Sequence, residues 1–275
     1  MTHAHTRSTT ALFLTDLHLD RTGKEETEDL LNRIRNTESN SVILTGDISD
    51  AGSIRRHLSQ IASACAPRPL YFVMGNHDYY GGGFREVEAG VHALCESTEN
   101  LHLMDGTTVV SLAEGIGMVG HGGWPDARAG DGLETTVENP DRWCIGDFRD
   151  LDHGQTLLRM RGLGGESAAR LRGILPLALK RHRHVVVATH VPPFANAVFH
   201  KGKPAGVEYL PHFCNATVGY MMLGLLRAFP HRRVSVLAGH SHGACARMIT
   251  RNLSVRVGAS RSAGAIPLDL VKFTS

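Results

Sequence analysis

Short apolar runs that end abruptly in Asp, Asn or His are the feature that most limits how this chain can fold. Residues 11–15 lead into Asp16-Leu17-His18, residues 42–45 into Gly46-Asp47, and residues 70–74 into Gly75-Asn76-His77-Asp78. Residues 184–189 end at His190, and residues 234–238 run into Gly239-His240-Ser241-His242. Runs of this length, rich in Val, Ile, Leu and Phe, read as buried strands. Helical patterns lie between the first three: residues 25–35 carry Leu30, Leu31 and Ile34 on one side, and residues 53–64 carry Ile54, Leu58 and Ile61. Residues 84–95 make a further amphipathic helix. The alternation predicts an α/β protein, in which strand ends are the places where loops converge on a ligand crevice.

The middle of the chain breaks the alternation. Residues 121–165 are rich in Gly, Asp and Arg and hold Trp124 and Trp143, and residues 191–214 form a second irregular stretch. Both are expected to be insertions in a single domain spanning 1–275, forming a partial lid or rim over the site. A helix is expected within 166–181, interrupted near Pro176. Another is expected from about Asn215 to Phe229, with Asn215 as its N-cap and Val218, Met221, Met222, Leu225 and Phe229 as its core stripe. Residues 254–257 and 268–272 read as strands that close the chain.

Composition removes several classes. A chain of 275 residues can bury a large core without disulfides. Its 29 Lys+Arg against 27 Asp+Glu give no basic excess of the kind that tracks nucleic acid, so nucleic acid is not an expected partner. The longest apolar stretches, 185–188 and 220–226, fall far short of the ~20 residues that span a bilayer, so no membrane partner is expected. The first apolar run is too short for a signal peptide. Cys65, Cys95, Cys144, Cys214 and Cys245 are odd in number and widely spaced, as reduced thiols are, and a cytoplasmic location is the expectation. Oligomeric state leaves no trace in the sequence.

The residue types at the strand ends point to metal chemistry. Residues two apart in an extended segment point the same way, so Asp16 and His18 can reach one centre; His240 and His242 can do the same or can each lean toward a different ion. Carboxylate, amide and imidazole donors suit borderline divalent ions. Asp47 has two oxygens and can bridge a pair of ions ~3.5–4 Å apart. Of the 17 His, His18, His77, His190, His240 and His242 belong to this pattern. His121 and Trp124, after residues 116–119, and His200, in a Lys-rich turn, are candidate substrate contacts. The alternatives are a packed Trp124 and a solvated basic turn at His200. Arg142 and Arg149 are candidate phosphate clamps, and His3 and His5 are expected in an unstructured tail.

The ordered series D-x-H, G-D, G-N-H-D, H and G-H-x-H, from Asp16 to His242, resembles the metallophosphoesterase (calcineurin-like phosphoesterase) superfamily. The resemblance implies a four-layer α/β/β/α sandwich of two mixed sheets flanked by helices. It implies that Asp16, His18 and His242 bind one metal, that Asn76, His190 and His240 bind a second, and that Asp47 bridges both. His77 matches the family's non-ligand histidine beside the scissile ester, and Asp78 is expected to fix its tautomer through a hydrogen bond. The implied cofactors are two divalent transition-metal ions, Mn, Fe or Zn. They would lower the pKa of a shared water so that a bridging hydroxide attacks phosphorus. A small phosphoester is the implied substrate; the Asn76-His77 pair suits a phosphodiester, whose alkoxide leaving group benefits from a proton donor, but monoesterases of the family carry the pair too. Alternatives are a phosphomonoesterase, a nuclease, or a non-catalytic metal-binding scaffold, which should have lost ligands. No position of the pattern is missing here.

Overall fold

A computed structural model of the chain describes residues 7–260 and 266–275, so His3 and His5 lie outside the described residues. The first half lays down β1 (Ser8–Leu14), α1 (Lys24–Asn36), β2 (Ser41–Thr45), α2 (Ile54–Cys65), β3 (Leu70–Val73), α3 (Phe84–Ser97), β4 (Leu101–Leu103), β5 (Val110–Ala113) and β6 (Ile116–Gly120). The second half begins with a single turn, α4 (Asp141–Cys144), and the long α5 (His153–Arg181). Next come β7 (His184–Ala188), a small hairpin of β8 (Phe199–His200) and β9 (Lys203–Pro204), and the helices α6 (Leu210–Phe213) and α7 (Ala216–Leu226). The chain closes with β10 (Arg233–Ala238), β11 (Cys245–Thr250), β12 (Leu253–Val257) and β13 (Asp269–Thr274).

Strands that are apolar at every position must be covered on both faces, and this dictates the layering. β2 and β7 are buried at every residue. Successive side chains of a strand point to opposite faces, so Phe13 and Ile43 meet Val186, Ala188 and Leu237 between the sheets. Leu12, Leu44 and Phe72 instead pack outward against Leu30, Ile34, Leu58 and Ile61 of α1 and α2. On the opposite outer face, Val185, Val187 and Val236 pack against Leu171 and Leu175 of α5 and Met222 of α7.

The result is a sandwich of a five-stranded sheet, ordered β13-β1-β2-β3-β4, against a six-stranded sheet, ordered β11-β12-β10-β7-β6-β5. Both sheets are mixed. β1, β2 and β3 run parallel with β13 antiparallel at the edge, and β7 and β10 run parallel at the centre of the second sheet. The four-layer expectation therefore holds, and the parallel runs point all five pattern-bearing strands toward one end of the sandwich.

Three local expectations need correction. α5 begins at His153 and runs through Pro176 without a break. Its start is fixed by a capping box between Asp152 and Gln155, which satisfies otherwise free amides. Arg172, whose carbonyl loses its partner to Pro176, lies on the exposed side, where that loss is tolerated. The irregular part of the first insertion is therefore 121–152, apart from α4 and a 3-10 turn at Gly146–Phe148. β4, β5, β8, β9 and β11 carry no strand signal in the sequence; β5 is mostly half-exposed and β11 mostly exposed, so neither shows the alternation that would reveal it. α7 ends at Leu226, capped by Asn215 as expected, whose side chain accepts from the Val218 amide.

All five cysteines are free thiols. Among the described residues no helix is long and apolar enough to cross a membrane.

Candidate metal centre

The loops after β1, β2 and β3 in one sheet meet the loops after β7 and β10 in the other. Asp16, His18, Asp47 and His242 form one group of donor atoms within 4.8 Å of one another, and Asp47, His190 and His240 form a second. Asp47 belongs to both. Its Oδ1 lies 3.2 Å from His190 Nε2, and its Oδ2 lies 3.8 Å from His18 Nε2. Asn76 joins the second group, with Oδ1 3.2 Å from His190 Nε2. In the first group, His242 Nε2 is 3.5 Å from Asp16 Oδ1 and 3.4 Å from His18 Nε2.

Backbone carbonyls set the imidazoles. A carbonyl only accepts, so His190 Nδ1 must donate to Thr45 O at 2.7 Å, and His240 Nε2 to His212 O at 2.8 Å. The remaining nitrogens, His190 Nε2 and His240 Nδ1, face each other at 3.2 Å. Two lone pairs so placed repel unless a positive charge sits with them. The electrostatics agree: burial works against it, yet the Asp47 carboxylate raises His190 to about 9. Burial and the neighbouring His190 press His240 down to about 3, leaving it a neutral donor. Burial would raise Asp47, but His190, His77 and His18 hold it well below the usual carboxylate range. A cluster that draws positive charge to one place, with the His190 proton held against Asp47 where a cation could replace it, fits divalent ions.

The backbone is strained at these positions. Asp16, His18, Asp47, His240 and His242 all have positive φ, between 45° and 68°, a region that costs non-glycine residues of order 1–3 kcal/mol each. Close approach explains two glycines. A Cβ at Gly75 would run into the amide and carboxylate of Asp47, and one at Gly239 would run into Thr15 and Asp16.

His77 stands beside both groups. Its amide donates to Asp47 Oδ1 at 2.9 Å and its Nε2 lies 3.9 Å from Asp47 Oδ2. Its ring stacks on Tyr80 at 4.1 Å and meets His18 edge-on at 4.5 Å. Arg21 Nη2 lies 3.4 Å from Nδ1; a guanidinium only donates, so Nδ1 accepts and the proton sits on Nε2. Burial, aided by His18 and Arg21, lowers His77 to about 4.

Asp78 does not do what its place beside His77 suggests. Its carboxylate accepts from the amides of Asp47 and Gly75 through Oδ2 and from those of Ile48 and Ser49 through Oδ1. It ties the β2 loop to the β3 loop and makes no hydrogen bond to His77. The tautomer-fixing contact comes from Arg21 instead. Burial and the Asp47 charge push Asp78 up to about 7 against its amide donors.

The three substrate-contact candidates are placed differently. Trp124 is 5% exposed and stacks on Phe148 at 5.6 Å, which is core packing. It lines, with His121, Glu88, Glu166 and Arg170, a cavity of about 200 Å³. His121 Nδ1 accepts from the Gly123 amide at 3.0 Å. Among the described residues no hydrogen bond, ion pair or ring contact joins either side chain to the ligand cluster. His200 lies in an aromatic stack with Tyr209 and Phe213, and Phe213 in turn meets the His240 ring at 5.3 Å. Arg142 Nη2 donates to Leu151 O at 3.1 Å, a structural bond.

Sequence reasoning missed Arg21, Tyr80, Asp141 and the His212 carbonyl. Tyr80 follows G-N-H-D closely enough to have been considered. Asp141, which accepts from Asn76 Nδ2 and from Tyr80 Oη, each at 2.8 Å, carries no local signal at all.

This is the fold and donor arrangement of a dinuclear metal hydrolase. The calcineurin-like phosphoesterase family model matches residues 9–244, and the chain belongs to that family. It is a binuclear metal-dependent phosphoesterase by class. Among solved structures it is similar to the protein TT1561 of Thermus thermophilus, at 15% identity over 97% of this chain and 99% of that one, TM-score 0.57. It is also similar to a dimetal phosphatase from Danio rerio, at 14% identity over 90% and 86% of the two chains, TM-score 0.53. These likenesses support the fold. A comparison with curated proteins finds no match.

Proposed function

We propose that the chain hydrolyses a small phosphodiester, with Asp16, His18 and His242 holding one divalent ion, Asn76, His190 and His240 holding another, and Asp47 between them. The observation that carries the reading is the division of the Asp47 oxygens between two donor groups with His77 beside both. Two ions held there supply an acidified water near neutral pH and positive charge for the phosphoryl oxygens. Mn, Fe or Zn suits the mixed oxygen and nitrogen donors.

The protein's own groups do the rest. Thr45 O and His212 O orient His190 and His240 so that their lone pairs face inward. The His77 Nε2–H, fixed by Arg21 at Nδ1, offers a preorganised hydrogen bond to the departing alkoxide, which takes its proton from water; a donor of this kind is typically worth ~10²–10³ in rate. A poor alkoxide leaving group gains most from such a donor, which is why a diester is favoured.

Residues 121–165 and 191–214 serve as the rim, since Asp141 from the first touches Asn76 and His212 from the second touches His240. The reading places the protein in the cytoplasm, consistent with free thiols. A hydrolysis panel with added Mn²⁺ tests substrate class, comparing phosphomonoesters, linear diesters and 2′,3′- and 3′,5′-cyclic nucleotides. Faster turnover of diesters is expected. Turnover confined to monoesters would replace the diester assignment.

A further inference from the structure

We infer that Asp141 is a positioning residue that fixes both Asn76 and His77 from within the first insertion, an inference that rests on the two-ion reading above. A side-chain amide has an oxygen that can bind a cation and a nitrogen that cannot, and a half-turn about its last bond exchanges them. Asn76 Oδ1 faces His190 Nε2 at 3.2 Å while Nδ2 donates to Asp141 Oδ1 at 2.8 Å. An acceptor at that place forbids the half-turn, so the oxygen stays toward the cluster. The same Asp141 oxygen accepts from Tyr80 Oη at 2.8 Å, and the Tyr80 ring stacks on the His77 ring at 4.1 Å with 25° between planes. One carboxylate oxygen thus sets an amide donor and, through a ring, the imidazole that stands beside it.

The carboxylate is itself held. Asp141 is 2% exposed, and its amide donates to Asn139 Oδ1 at 3.0 Å. The segment around it is docked on the loop that follows G-N-H-D: the Gly81 amide donates to Cys144 O at 2.7 Å, and the Gly146 amide to Gly82 O at 2.8 Å. The Phe84 amide donates to Asp147 Oδ2 at 2.8 Å. This part of the insertion is therefore a brace and not a moving lid.

Asparagine and glutamate at position 141 separate placement from charge. Asn keeps an acceptor oxygen in the same place and loses the charge; Glu keeps the charge and moves the oxygen by one methylene. The test is equilibrium dialysis of the full chain against Mn²⁺, with thermal unfolding to verify that each variant folds. The wild type is expected to bind two ions. Asp141→Glu is expected to bind one ion as the wild type does and the other 10–100-fold more weakly, the usual loss when an outer partner of a ligand is displaced. Asp141→Asn is expected to stay within a few-fold of the wild type at both. If Asp141→Glu does not fold, Asp141→Ala takes its place with the same expectation. Wild-type affinity at both sites in the Glu or Ala variant would overturn the inference, as would an Asn variant no better than Glu. A wild type that binds fewer than two ions would instead sink the two-ion reading.

Discussion

His77 is the residue on which the chemical account turns, because it stands beside both donor groups without belonging to either. Substituting it should leave the ions in place and remove the hydrogen bond to the leaving group. His77→Ala is expected to bind Mn²⁺ like the wild type and to lose ~10²–10³ in turnover on alkyl esters, with a much smaller loss on nitrophenyl esters, whose leaving group carries its charge without help. Steady-state rates on the two ester types decide the matter; equal losses on both would deny the role. Asp78 gives the opposite contrast. Its oxygens serve four backbone amides, so Asp78→Asn exchanges an acceptor for a donor among buried N–H groups. A loss of about 1–3 kcal/mol in denaturant unfolding is expected, with loosened ion binding as a consequence.

Adjacency in sequence suggested an Asp78–His77 pair. The chain turns into a short 3-10 helix at 77–79, so neighbouring side chains leave in different directions, and the amides of 47–49 claim the carboxylate. The ligand types were legible because each had to follow a strand. Asp141 was not, because its partners are set only when two distant segments pack.

At the scale of elements, the strands that were readable are those buried on both faces, such as β2 and β7, where continuous apolar runs are obligatory. β5 and β11 sit at the edges of their sheet with half-exposed or exposed residues, and their place comes from pairing with β6 and β12 rather than from periodicity. α5 shows a related effect. Its glycines lower helix propensity, but Gly164 lies against Asp126 and Trp124, where a Cβ would collide, so packing requires the residue that local preference disfavours.

His184 links the two sheets: its Nδ1 donates to Thr274 O in β13 at 2.9 Å and its Nε2 meets Ser235 Oγ at 2.8 Å. Burial, with help from Arg233 and against the Thr274 carbonyl, lowers its pKa below 6.5. As pH falls through 6.5, the unfolded chain takes up this proton before the folded one, so stability falls with pH. His184→Gln is expected to show a shallower loss of stability as pH falls below about 6.5 than the wild type, read from denaturant midpoints. A wild-type slope in the variant would assign the acid sensitivity elsewhere.

For the whole molecule, the consequence of building the site from both sheets is a coupling between ion binding and fold stability. Asp16, Asp47 and Asn76 come from one sheet, and His190 and His240 from the other. Cations that bind only the folded arrangement stabilise it by about 2.7 kcal/mol at a hundredfold excess over Kd. The melting temperature is therefore expected to rise on adding Mn²⁺ to chelator-treated protein and to fall again with chelator. A melting temperature indifferent to both would mean that the cluster holds no ion tightly.

The central claim is that hydrolysis depends on two ions shared through Asp47. It is tested most directly by titrating chelator-treated protein with Mn²⁺ while measuring bound ions per chain and diester hydrolysis in the same samples. The account predicts that hydrolysis stays low until the second ion binds and then rises in step with it to a plateau near two per chain. Full hydrolysis at one ion per chain, or hydrolysis that persists with chelator and no bound ion, would contradict it.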